Sequence, residues 1–235
     1  MRTRRWLVGL AALAASVAAG GCGGGGPGAL PVTQEQAEQL SLVRLSTYEA
    51  SPVGVRLRVP GPAGAVTVVE AVVDYRERRA RGTYRLLAGA GGTAAAAEAS
   101  RGALAWNGST VSVGPAGASV RWSHRAYSRA PLDRMLLLVL QLGHDRPENA
   151  QLLAQSGTRW LGRRSLPGEG RFAVFAGPRP AGAGGAGSSP LTYWVDERGG
   201  LRRVEARVHG EGAVATVDFT GPAPSSAPSQ AAGRG

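Results

Sequence analysis

Two blocks of period-two alternation, separated by one strongly apolar helical pattern, limit the folds open to this chain most sharply. Val53, Val55, Leu57 and Val59 alternate with Gly54, Arg56 and Arg58, which predicts a half-buried strand with one wet face. Residues 66–75 are Val-rich, with apolar side chains on both parities at the centre. Segments 83–87, 103–106, 110–113 and 119–127 continue the block, and Asn107-Gly108 marks a two-residue hairpin. A second block follows at 158–164, 171–176, 191–196, 201–209 and 213–219. Between the blocks, Leu132, Met135, Leu136, Val139 and Leu140 fall at i, i+3, i+4, i+7 and i+8. Leu137, Leu138 and Leu142 widen that stripe almost all round, as expected of a helix that is buried or lies over something apolar. Pro131 suits its first turn and Gly143 the residue past its end. Asp145 and Glu148 predict a capping box for a short helix through Ala154, stopped by Gly157. Thr33 and Gln36 do the same for a first helix ending near Ala50. Strands that follow one another so closely predict an α+β fold: an antiparallel, meandering sheet with its helices on one side.

The amino terminus reads as an address rather than a fold element. Arg2, Arg4 and Arg5 precede an apolar run from Trp6 to Ala19, then Gly20, Gly21 and Cys22, the single cysteine. That run is short of the roughly 20 apolar residues of a membrane span. A lone cysteine in an exported chain cannot close an internal disulfide. Small residues before it and glycines after it fit a lipoprotein leader in which Cys22 becomes the lipidated first residue, although Ala19 stands where such leaders usually carry Leu. The expected organisation is a cleaved signal peptide at 1–21, lipidated Cys22 with a flexible tether at 22–31, one domain at 32–220 and a Pro/Ser/Ala/Gly tail at 221–235. Thr3-Arg4-Arg5-Trp6-Leu7-Val8 also fits the twin-arginine export pattern, so both the general and the twin-arginine route stay open.

All 27 basic residues are arginine, and lysine and isoleucine are absent, which points to a high-GC bacterial genome. The net charge of +11 falls to +8 once the three arginines of residues 1–21 are removed. Outside the cytoplasm such a surface favours anionic headgroups, at about 1 kcal/mol per arginine near the membrane. Nucleic acid is not an expected partner, since no helix-turn-helix, zinc or RNA-binding signature appears.

Catalytic and metal signatures are not found. There is no Gly-x-Ser-x-Gly elbow, and His124, His144 and His209 lack metal-ligand spacing. His144-Asp145 reads as a helix junction. Asp74 and Glu77, amid Arg76, Arg78, Arg79 and Arg81, read as a solvated strand end and turn. Gly182 to Gly187 spells the dinucleotide fingerprint inside a low-complexity loop, and Gly89 to Ala94 lacks the acidic residue about 20 positions on. No catalytic residue, metal or cofactor is assigned.

The order of elements, with Val73-Asp74-Tyr75-Arg76, Ala105-Trp106, Arg146-Pro147-Glu148-Asn149-Ala150-Gln151-Leu152-Leu153, Trp160-Leu161-Gly162 and Tyr193-Trp194-Val195-Asp196, resembles the LolA-like lipoproteins, including the LppX/LprG group of actinobacteria. The resemblance implies a strongly curved antiparallel half-barrel with helices over its concave face and an apolar cavity between. It also implies carriage of lipids or lipoproteins across the envelope. With the leader and the missing catalytic set, the expectation is a non-catalytic protein anchored at the outer face of the cytoplasmic membrane that binds or carries a lipid or other hydrophobic ligand. The expected cavity residues are Val55, Leu57, Val68, Val72, Trp106, Trp122, Leu132, Leu136, Leu140 and Trp194. The same residues would equally fill a solid core. The protein is expected to be a monomer. The alternative is a lipoprotein without cargo that meets an envelope protein partner through arginines such as Arg76 to Arg81.

Overall fold

A computed structural model describes residues 28–89, 101–116, 121–178, 189–209 and 213–222. The signal peptide, Cys22, most of the tether, the glycine pattern at 182–187 and the tail beyond 222 lie outside them. The chain runs β1 (Leu30–Pro31), α1 (Gln34–Glu49), β2 (Val53–Pro60), β3 (Val66–Asp74), β4 (Arg79–Leu87), β5 (Arg101–Asn107), β6 (Thr110–Pro115) and β7 (Ser123–Ala126). Then come α2 (Pro131–Gln141), α3 (Ala150–Gln155), β8 (Arg159–Leu166), β9 (Gly170–Ala176), β10 (Leu191–Val195), β11 (Leu201–His209) and β12 (Ala213–Pro222).

All twelve strands join one sheet in the order β1-β8-β9-β10-β11-β12-β2-β3-β4-β5-β6-β7. Every pairing is antiparallel. The two blocks are two meanders, and β12 beside β2 welds them at the centre, with Val217 opposite Leu57 and Phe219 opposite Val55. Those pairs share one face, where the apolar parity of each strand builds the core: Leu57, Val69, Leu104, Val204 and Phe175 are all buried. The opposite parity carries Arg56, Arg58, Arg79, Arg81 and Arg85, all exposed.

The helices lie on the apolar face. Leu40 and Val43 of α1, Met135, Leu136, Val139 and Leu140 of α2, and Leu153 of α3 belong to the same core as the strands. Trp106 Nε1 donates to the Leu136 carbonyl at 3.0 Å, tying α2 to β5. The expected α+β half-barrel is not what forms. The sheet is open, with free edges at β1 and β7, and it dominates the molecule; helices of 16, 11 and 6 residues cover one face without a concave wrap. Periodicity reports which face of a strand is wet. It carries no information on whether successive strands curl, so the half-barrel rested on resemblance alone.

Local corrections have clear causes. Asn149, not Asp145, caps α3: its Oδ1 accepts from Leu152 N at 3.1 Å, while Glu148 reaches across to Arg44 of α1. The β5–β6 hairpin turns at Gly108-Ser109, because Asn107 Oδ1 accepts from both Ser109 N and Thr110 N and so stands outside the two-residue loop. The tether ends two residues early, since Leu30 and Pro31 pair with Trp160 and Arg159. At the other end β12 runs through Pro222, so the sheet takes in the first residues expected of the tail.

Candidate functional site

The expected cavity residues divide between the two faces of the sheet. Val55, Leu57, Trp106, Leu136 and Leu140 are buried together in the main core, with Leu132 packed against them. Val68 is buried outside that core, on the parity of Arg58 and Arg85, and Val72 shares this parity. Trp194 packs into a separate small cluster with Leu166, Phe172 and Val174, where its Nε1 is buried without a hydrogen-bond partner among the described residues and Arg203 lies 6.0 Å from its ring centre. Trp122, just before β7, is 38% exposed. A period-two pattern assigns faces only relative to a strand's own neighbours. Periodicity alone therefore does not tell which apolar residues of different strands share a face.

The opening into the apolar side lies elsewhere. A cleft of about 210 Å³ sits between α1, α2 and the α3 approach on one side and β10 and β11 on the other. Leu40, Val43, Leu138, Leu142, Leu153, Leu191 and Leu201 line it, with Arg44, Gln141, Glu148, Pro178 and Tyr193. Its frame is rigid. His144 N donates to the Arg44 carbonyl at 3.0 Å and Glu148 N to the Ser41 carbonyl at 2.9 Å, stapling the α2–α3 connection onto α1. Arg44 Nη1 and Glu148 Oε1 pair at 2.9 Å, each side chain about one-third exposed (32% and 35%). Arg44 Nε, by contrast, is buried and has no hydrogen-bond partner among the described residues. Burial, and then the Glu148 carboxylate, push the Tyr193 phenol up to about 12, so its hydroxyl stays neutral. The helix periodicity did point at Leu138 and Leu142. The residues from α1 and β10 carry no signal beyond ordinary core pattern.

This arrangement offers apolar wall, a guanidinium paired with Glu148 and a neutral phenol. It presents no nucleophile–base pair. Among the described residues no group of three or more His, Cys, Asp or Glu could hold a metal ion, and no helix is long and apolar enough to cross a membrane.

No family model matches the chain, and no curated protein matches it. Among solved structures it is similar to an uncharacterized conserved protein from Thermus thermophilus, at 12% identity over 75% of this chain and 81% of that one, with a TM-score of 0.36. A likeness at that level carries no argument here about fold or function.

Proposed function

We propose that this is an exported lipoprotein, held at the outer face of the cytoplasmic membrane through Cys22, whose domain binds one hydrophobic chain without catalysing a reaction. The observation that carries the binding part is the helix–sheet cleft, walled mainly by Leu and Val side chains with Arg44, Gln141, Glu148 and Tyr193 among its lining. Arg44 is about one-third exposed and lines the cleft, so its guanidinium can donate to a ligand oxygen there. An acyl chain ending in a carboxylate or ester carbonyl supplies both the chain and the oxygen.

Size decides between ligands. At about 30 Å³ for a water-sized group, a 210 Å³ cleft takes roughly seven methylenes. Their burial is worth about 6 kcal/mol before the cost of association is deducted. Extracting a two-chain lipid means replacing about 30 methylenes, or roughly 24 kcal/mol. The cleft therefore supports capture of a single chain or its end rather than enclosure of a whole diacyl lipid.

Titration with cis-parinaric acid tests this. Leu138→Trp, at a half-buried cleft position, should fill the space and weaken binding at least tenfold with little change in Tm. Arg44→Gln should weaken parinaric acid more than parinaryl alcohol. Unaltered affinity in Leu138→Trp would rule the cleft out. A second reading, action through the surface without cargo, is favoured by the exposed arginines on the face that the helices leave open.

A further inference from the structure

The face of the sheet opposite the helices carries a second cleft, of about 360 Å³, across β4 to β7. Its shape follows from the register. Arg81, Ala105, Ser112 and His124 stand side by side on successive strands. Strands lie about 4.8 Å apart, so small Ala105 forms the floor of a trough with Arg79 and Arg81 on one wall. Ser112, His124 and Trp122 form the other wall, and Asn107 and Thr110 also line the cleft.

The charges in this trough differ from those around it. On the same face Glu70 pairs with Arg56 at 3.1 Å and lies 4.0 Å from Arg85, and Asp218 pairs with Arg203. Arg79 and Arg81 form no ion pair or side-chain hydrogen bond among the described residues. Asp74 stands opposite Arg79 in the register, but its Oδ1 accepts from Ser51 Oγ and from the backbone N–H groups of Arg76 and Glu77. Two guanidinium groups two residues apart on one strand thus face a concave surface with their donors unused. Ser112 Oγ and His124 Nδ1 share a hydrogen bond at 2.8 Å within the opposite wall, between β6 and β7, which leaves the ring's Nε2 as its remaining polar atom. Trp122 is the one aromatic side chain among the exposed large hydrophobic residues described, and it lines this cleft.

We propose that the β4–β7 trough binds a phosphomonoester. Arg79 and Arg81 hold the phosphate oxygens as paired forks, and the Trp122 ring packs on the carbon skeleton. Two arginines with neighbouring Ser, His and Asn groups offer more donors than a carboxylate can accept, whereas a phosphate brings three terminal oxygens. The same chemistry is found in a soluble phosphate ester and in the headgroup of phosphatidic acid. The trough is on the face opposite the helix-side cleft, so the two sites stand or fall separately.

The test uses the full chain carrying Cys22→Ser, so that no lipid anchor confounds vesicle binding. Its probes are sn-glycerol 3-phosphate by calorimetry and phosphatidylcholine vesicles, with or without phosphatidic acid, by co-sedimentation. Arg79→Gln and Arg81→Gln should each lower affinity roughly tenfold, the effect of about 1.4 kcal/mol. Arg58→Gln, on the same face outside the trough, should change nothing. Trp122→Ala should weaken glycerol 3-phosphate more than inorganic phosphate. Binding of glycerol 3-phosphate assigns a soluble ligand. Binding of phosphatidic acid vesicles alone, lost in the same two arginine variants, assigns the lipid headgroup. Binding of neither probe, or equal loss in Arg58→Gln, would overturn the proposal.

Discussion

Asp133 is the one charged residue that the structure describes as fully buried, and four donors converge on it. Arg125 binds it as a fork, Nη1 to Oδ2 at 2.6 Å and Nη2 to Oδ1 at 2.8 Å, and Ser128 adds its N–H at 2.7 Å and its hydroxyl at 2.6 Å. Burial alone would push the carboxyl up; the hydrogen bonds from Arg125 and Ser128 outweigh it and hold the group at about 2, below its ordinary 3.8. The folded value is the lower one, so the stabilisation is present in full above about pH 4. It is lost as the pH falls from there toward 2, and it amounts to about 2 kcal/mol. Acid titration followed by circular dichroism should show this loss. Asp133→Asn, which removes the charge that Arg125 and Ser128 bind, should cost about 2 kcal/mol at neutral pH and flatten the acid limb. None of this was legible in the sequence, where Asp133 sits in a first helical turn like any exposed acid. Gly143 is a similar case. The sequence pattern marks it as a helix stop, but a Cβ there would lie 2.5 Å from the ring of buried Tyr75. Gly143→Ala should therefore destabilise by about 1–3 kcal/mol through overpacking, measurable as a lowered urea midpoint at unchanged slope.

At the level of elements, α2 clamps the first meander from its apolar face. Its Leu136 carbonyl receives the Trp106 indole, and its first turn holds the β7 edge through Asp133 and Arg125. Trp106→Phe should cost about 2–3 kcal/mol, the sum of a lost buried hydrogen bond and a small cavity, read from chemical denaturation. The strands and α2 were nearly all legible from alternation and helical spacing, because each buries one face and wets the other. Val53, Val55, Leu57 and Val59 show this most plainly. β4 was the exception. Arg79 and Arg81 look like turn residues, yet they begin the strand at Arg79, because the buried parity there is filled by Ala80 and half-buried Gly82, too small to register as an apolar stripe. The same blind spot hid the β4–β7 trough, whose floor is an alanine.

For the whole molecule, an open sheet with one helix-covered face presents two unlike surfaces to whatever lies near it. The short edges, two residues at β1 and four at β7, limit edge-to-edge pairing between copies. Whole-sheet shape was the least legible property of the sequence, since curl and strand order at β12–β2 depend on pairings far apart in the chain. The apolar cleft was half legible: α2 announced its leucines, while the Arg44–Glu148 staple across 104 residues did not announce itself. In the proposed setting Cys22 supplies the tether. Cys22→Ala should abolish incorporation of an alkynyl fatty acid and move the protein from the membrane to the soluble fraction of its host. The measurement that bears most directly on the account is native mass spectrometry of the protein mixed with oleate or with phosphatidylglycerol. One bound oleate per chain, absent in Leu138→Trp, is the predicted result. No adduct, or a whole phosphatidylglycerol held as tightly as oleate, would contradict a cleft built for a single chain.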